Sequence, residues 1–267
     1  MLLKEYRICM PLTVEEYKIG QLYMISKHSL EQSSGGEGVE VVRNEPDTHP
    51  QYGQGQVTEK RIYLSSKLPS WMRKFVPMIF YVTEKAWNFY PYTVTGELHH
   101  CSFVPKLQVK IETRFENDNG SNENVSRQVI CDCLTLQDLS GWVSKRTGRG
   151  PLVDGWRNSA RPIMCSYKKV QCSFEVYGFQ SRTEEFIHRN IRDVLLVGHR
   201  QAVAWTDEWH GMSLEEVREY ERKLQQETNS KLKSDRTDSG NVSDVLTQEH
   251  RDPGQGVVEE GGGGEDD

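Results

Sequence analysis

Met164-Cys165-Ser166-Tyr167-Lys168-Lys169-Val170-Gln171-Cys172-Ser173-Phe174-Glu175-Val176 is the segment on which the fold turns. In a strand, side chains two apart share a face. Met164, Ser166, Lys168, Val170, Cys172, Phe174 and Val176 then form one row, and Lys168 falls in the middle of its apolar side. Burial disfavours an ammonium and can shift a lysine pKa by about 3–5 units. Such a residue needs an acid, a route to water or an anionic ligand.

Neighbouring segments repeat the pattern. Leu107, Val109, Ile111, Thr113 and Phe115 share a strand face on which Thr113 is the lone hydroxyl. Thr58, Lys60, Ile62 and Leu64 share another, with Lys60 in phase with the aliphatic residues. On a helix, Leu214, Val217, Glu221 and Leu224 fall on one stripe, which Glu221 interrupts with an acid. Two accounts fit. In one, Glu221 pairs with Lys60 or Lys168, or the lysines snorkel to the sheet edge. In the other, an apolar cavity ends in Thr, Lys and Glu, which suits a ligand that is part hydrocarbon and part anion.

Outward from these segments the chain reads as strand, helix, many strands, then long helices. A strand over 4–12 precedes a capping box, Thr13 with Glu16, that opens a helix to about Gln32. Alternating segments follow at about 39–45, 56–66, 78–84, 89–98, 103–115, 127–134 and 162–177. Ser181 with Glu184 predicts a helix to about Thr206, its apolar stripe including Phe186, Ile191, Val194 and Leu195. Ser213 with Glu216 opens another to about Leu232. Close-spaced strands with few helices between them predict an α+β fold with a largely antiparallel sheet.

The chain has 267 residues, 33 bases and 39 acids. Residues 233–267 hold ten of the acids, three of the bases and seven glycines, with almost no large apolar residues. That stretch cannot bury enough surface to offset its ordering entropy and is expected to be a disordered tail. Residues 1–232 form the folded domain and carry a net charge of +1, which gives no reason to expect nucleic-acid binding. The start, Met1 to Glu5, has no apolar stretch or cleavage site, so an intracellular location is expected. The six cysteines are expected to be small buried hydrophobes rather than disulfides. No Gly-x-Ser-x-Gly or His-Glu-x-x-His motif is present, and Thr147-Gly148-Arg149-Gly150 lacks the lysine and spacing of a phosphate loop. His99, His100, Cys101, Cys131 and Cys133 do not have zinc-finger spacing, and no metal is expected.

Several stretches together resemble the phosphatidylinositol transfer protein family over about 1–230. They include Tyr17-Lys18-Ile19-Gly20-Gln21-Leu22-Tyr23, Asn44-Glu45-Pro46, Glu84-Lys85-Ala86-Trp87-Asn88, Lys110-Ile111-Glu112-Thr113 and Thr147-Gly148-Arg149-Gly150-Pro151-Leu152. Arg192 to Gln201 resembles the retinal-degeneration-B branch, and the acidic tail resembles that of its short soluble cytoplasmic member (the class II, B-beta type). The resemblance implies a START-like helix-grip fold: a curved, largely antiparallel sheet and long helices enclosing one phospholipid. It implies that Thr58, Lys60, Asn88 and Glu221 hold an inositol ring, and that Gln21, Thr95, Thr113 and Lys168 hold the phosphate. It implies phosphatidylinositol or phosphatidic acid as ligand, no cofactor, no catalysis, a monomer, and transient contact with membrane surfaces.

Two departures bear on that expectation. The family's better-known branch has a tryptophan pair on a membrane-touching loop where this chain has Val176 and Tyr177, so weaker docking is expected. The segment between Thr113 and Thr147 is also shorter. Ser144, in Ser-Lys-Arg, matches a serine open to basic-directed kinases in the family, and Arg236-Thr237-Asp238-Ser239 would allow a phospho-dependent partner. A lipid-gated adaptor that senses lipid without moving it is the competing function.

Overall fold

The computed structural model describes residues 1–50, 52–63, 81–96, 107–122, 132–133, 139–174 and 180–248, with side chains omitted at 132–133 and 238–248. In chain order the elements are β1 (Leu2–Met10), α1 (Val14–Glu31), β2 (Gly38–His49), β3 (Gly53–Tyr63), β4 (Tyr81–Phe89), β5 (Tyr92–Gly96), β6 (Leu107–Glu116), β7 (Asp132–Cys133), α2 (Trp156–Ser159), β8 (Met164–Phe174), α3 (Gln180–Ala204), α4 (Thr206–Trp209) and α5 (Leu214–Gln248). The strands form one curved sheet in the order β2-β3-β4-β5-β6-β8-β1-β7. Every pairing is antiparallel except that of β1 with the two-residue β7. The expected mixed fold, curved sheet and long helices are all present.

Two of the three expected capping boxes form. Glu16 N–H donates to Thr13 Oγ1 at 3.1 Å and Thr13 N–H donates to the Glu16 carboxylate at 2.8 Å. Ser213 and Glu216 repeat the exchange at 2.7 and 3.2 Å. The third does not form. Glu184 instead accepts from the Phe174 backbone N–H at 3.0 Å and lies 3.1 Å from the chain's terminal amine. Helix α3 already begins at Gln180, so Ser181 lies inside it rather than at its cap.

Three further expectations are corrected. The turn between β4 and β5 falls at Tyr90-Pro91, not between 84 and 89, because Pro91 lacks the N–H that a ladder needs. On α3 the buried face holds Glu184, His188, Leu196, His199, Ala202 and Val203, while Val194 is 65% exposed. The last helix passes Leu232 and continues to Gln248. Its extension is anchored on the body: the Arg236 guanidinium stacks 3.4 Å from the Tyr63 ring centroid and Gly36 N–H donates to Asp235 at 3.4 Å. One cationic side chain over an aromatic face thus holds a segment whose composition alone argues against order. Residues 249–267 lie outside the described residues.

The core sits at one end of the sheet. Met10, Leu12, Tyr17, Phe115, Met164, Ala202, Val203 and Trp209 are buried there in a single cluster. Gly20 on α1 lets Trp209 approach, since a Cβ at position 20 would lie 2.7 Å from the indole ring. Trp209 Nε1 donates to Ala202 O at 2.8 Å, which satisfies the indole inside the cluster. Cys9, Cys165 and Cys172 are buried and unbridged.

Helices and sheet meet chiefly at the flanks. Helix α3 packs on β1 and β8, α5 packs on β2, and α1 packs between α3 and α5. Asn229 of α5 brackets the edge strand: its carbonyl accepts from Val41 N–H at 3.0 Å and its amide donates to Val41 O at 2.9 Å. Among the described residues helix contacts are sparse over the inward face of β3 to β6, the face that carries Thr113 and Lys168.

Candidate functional site

Strand register puts six of the eight expected contact residues on that inward face. Gln56, Asn88, Thr93, Thr113, Lys168 and Tyr6 form one continuous cross-strand row. The next row runs Asn44, Thr58, Ala86, Thr95, Ile111, Val170. Lys60 stands directly opposite Val41 on one side and Glu84 on the other. Thr58, Lys60, Asn88 and Thr95 are half-buried.

At the core end, Lys168 is 6% exposed and donates from Nζ to Thr113 Oγ1 at 3.2 Å. Its ammonium lies 5.5 Å from the Phe115 ring centroid. Among the described residues it has no carboxylate partner. Burial lowers its pKa to about 8. The neighbouring His199 is buried too, and burial together with the Lys168 charge lowers its pKa to about 3, so the imidazole is neutral. His199 Nδ1 meets Leu195 O at 2.6 Å, its ring stacks on Tyr17 at 5.6 Å, and Nε2 is buried without a partner. His188 and His199 interrupt the α3 stripe as polar residues, which is why apolar periodicity passes over them.

At the far end, Glu221 pairs with neither expected lysine. Asn44 Nδ2 donates to its Oε1 at 3.2 Å, and Arg218 Nη1 lies 2.6 Å from its Oε2. Gln56 Nε2 donates to Asn44 Oδ1 at 2.7 Å, and Asn44 Nδ2 lies 3.5 Å from Gln225 Oε1. A cavity of about 220 Å³ opens here between β2, β3 and α5, lined only by polar side chains. Lys60 has no hydrogen bond or ion pair among the described residues. Gln21 lies half-buried on α1 and is hydrogen-bonded to none of the other seven.

Gln56 is in phase with Thr58 and Lys60 on β3, but Asn44 escapes periodicity. Val39 and Val41 face inward, and simple alternation would put Arg43 beside them. A register shift between Val41 and Arg43 brings Asn44 inward instead, opposite Thr58. A bulge inserts one residue and inverts the phase of everything after it.

The other expected positions divide. Ser144 is 1% exposed; its hydroxyl donates to Asp207 at 2.5 Å and accepts from the Thr147 N–H and hydroxyl. A kinase cannot reach it in this conformation. Thr147 to Gly150 is a turn from which Arg149 clamps both oxygens of Glu16. Val176 and Tyr177, and the side chain of Ser239, lie outside the described residues. So do His99, His100, Cys101, Cys131 and the Cys133 side chain, and the described residues hold no cluster fit for a metal.

Comparison with known proteins gives concordant matches. The sequence profile of the phosphatidylinositol transfer protein family matches residues 1–132 and 129–226. The human cytoplasmic phosphatidylinositol transfer protein 1 is 58% identical over 251 residues, covering 87% of this chain and 75% of that protein. The Drosophila melanogaster protein of the same name is 55% identical over 252 residues, covering 87% and 92%. Drosophila retinal degeneration B protein is 40% identical over 262 residues, which is 84% of this chain and 21% of that much longer one.

Proposed function

The chain belongs to the phosphatidylinositol transfer protein family, and on that premise we propose that it carries one phospholipid, phosphatidylinositol or phosphatidic acid, through the cytoplasm and exchanges it at membranes. We assign it to the short soluble cytoplasmic members of the retinal-degeneration-B branch, acting as a monomer without catalysis. The human and fly proteins named above are cytoplasmic transfer proteins, which favours transport over a sensor that never delivers its lipid.

One observation carries the reading. Lys168 is a buried cation with no carboxylate partner among the described residues, at one end of a polar cross-strand row. Holding a charge there is costly unless an anion joins it. A lipid phosphate supplies that anion, and charge-assisted bonds from Lys168 and the Thr113 hydroxyl replace its water. Gln21 and Thr95 complete the phosphate side; Thr58, Lys60, Asn88 and Glu221 take the inositol ring.

The remaining work is solvation. Exposing an acyl chain to water costs about 0.8 kcal/mol per CH₂, so two chains cost tens of kcal/mol. A lining that is apolar away from the headgroup removes most of that penalty. Helix α5, held to β2 by Asn229 and to β3 by Arg236, is the lid that lifts for exchange. Val176 and Tyr177 form the membrane-touching loop. The tail, with Ser239, serves a phospho-dependent partner, and Ser144 becomes available to a kinase only when its loop parts from Asp207.

The test is lipid identification by native mass spectrometry of the purified chain, followed by transfer between vesicles. One intact phospholipid per chain and delivery to acceptor vesicles are expected. Lys60→Ala should lower phosphatidylinositol loading several-fold and spare phosphatidic acid. A chain that carries no phospholipid, or binds without delivering, refutes transport; equal loss of both lipids refutes the ring assignment.

A further inference from the structure

The cavity between β2, β3 and α5 is not accounted for by the residues that the family resemblance supplies. Of its lining, only Glu221 belongs to that set; Asn44, Gln56, Arg218 and Gln225 do not. Two of these are register partners of assigned ring residues: Asn44 stands opposite Thr58, and Gln56 stands opposite Asn88. Asn44 is the hub, since its amide donates to Glu221 and approaches Gln225, while its carbonyl accepts from Gln56.

The chemistry of this set is specific. A primary amide offers two donors and an acceptor, and a carboxylate offers acceptors only. Each hydroxyl of a polyol both donates and accepts, so neighbouring hydroxyls can be matched by alternating amides and a carboxylate. The contacts of Asn44 to Glu221 and Gln225, at 3.2 and 3.5 Å, are long for N–H···O bonds and are readily exchanged for shorter ones to a ligand. Arg218 holds the other carboxylate oxygen and so fixes the Glu221 side chain at the cavity wall. The two arginines of the lining, Arg218 and Arg222, are engaged by Glu221 and Glu219, so what the cavity offers a ligand is amides beside a carboxylate, a set that suits hydroxyls better than a phosphate.

We propose that Asn44, supported by Gln56 and Gln225, is a specificity-determining residue that reads the hydroxyls of a polyol headgroup and so favours phosphatidylinositol over phosphatidic acid. This rests on the transport reading above. It adds a second layer of ring contacts outside Thr58 and Asn88, on the side closed by α5.

The experiment offers the full-length chain to vesicles of phosphatidylcholine containing equal amounts of phosphatidylinositol and phosphatidic acid. The bound lipids are then counted by native mass spectrometry. For Asn44→Ala the ratio of phosphatidylinositol to phosphatidic acid should fall about ten-fold, the scale of one well-made hydrogen bond of about 1.4 kcal/mol, with phosphatidic acid taking the places that phosphatidylinositol loses. Gln225→Ala, placed on α5 rather than the sheet, should shift the ratio in the same direction. An unchanged ratio in both variants overturns the proposal and leaves Asn44 as a helix-to-sheet tether. Equal loss of both lipids in both variants overturns it as well. A wild-type chain that loads neither lipid refutes transport itself and takes this inference with it, an outcome distinct from a normal wild type with unresponsive variants.

Discussion

The two ends of the inward face solve opposite problems. Around Lys168 the surroundings are Phe115, Tyr17, a neutral His199 and one hydroxyl, and among the described residues no carboxylate meets the charge. Around Glu221 each carboxylate oxygen is taken by a neighbour, and the amides bond one another. The dry end is electrostatically incomplete without a ligand; the wet end satisfies itself. Affinity should therefore be concentrated at the first, where an unmet charge is waiting, and discrimination at the second, where a ligand must match a set of bonds already made.

The sharpest way to break this contrast is Lys168→Met. Occupancy by either lipid should fall more than ten-fold in native mass spectrometry, while the lipid-free protein melts no lower than wild type. The pH response gives the sign. The folded lysine titrates near 8 and the unfolded one near its ordinary 10.5. Below pH 8 both states hold the proton; between the two values only the unfolded state does. Stability of the lipid-free chain should then rise from pH 8 to 10.5 with a slope approaching about 1.4 kcal/mol per pH unit, and lipid affinity should decline over the same range. Lys168→Met should flatten both trends. A variant that keeps its lipid would erase the distinction between the two ends.

Next in size is Gly20→Ala, which presses a methyl into Trp209 at the core end. Overpacking of this kind costs about 1–3 kcal/mol, and a melting temperature several degrees lower is expected. The ratio of the two lipids should not move, because the change is remote from the polyamide end. A changed ratio would show that the two ends are coupled through α1.

The smallest effect expected is that of the C-terminal helix extension. Ending the chain after Leu232 removes the Arg236 stack on Tyr63, worth about 1–2 kcal/mol, and should lower the melting temperature by a few degrees. Ending it after Gln248 should leave it unchanged. Identical melting for both truncations would show that Arg236 contributes nothing to holding α5 in place.

Much of this was legible in the chain because period-two alternation is robust. It put Thr58 and Lys60, Thr113, and Lys168 each in phase with the apolar residues of its own strand, faces that the register then joins, and it put Val217 and Leu224 on the buried stripe of α5. What stayed hidden has local physical causes. A one-residue bulge carried Asn44 across the sheet, against the alternation of Val39 and Val41. Glu184 turns to the Phe174 N–H of β8 instead of a capping box, a partner distant from its own helix turn. Composition averaged over 35 residues could not register that one arginine finds a tyrosine ring. Partner choice was equally hidden: Glu221 lies near Arg218 along its own helix, three residues away, and no face analysis ranks that neighbour against a lysine from the sheet.

The Asn229 bracket on Val41 has one more consequence. β2 is the last strand of its sheet, and an outermost strand offers its backbone to any extended chain that drifts past. A single asparagine occupies the vulnerable amide and carbonyl for as long as the helix stays down. Each delivery would bare them, so the moment of unloading is also the moment at which two such molecules could stick together, and swift reclosure protects the protein as much as it protects its cargo.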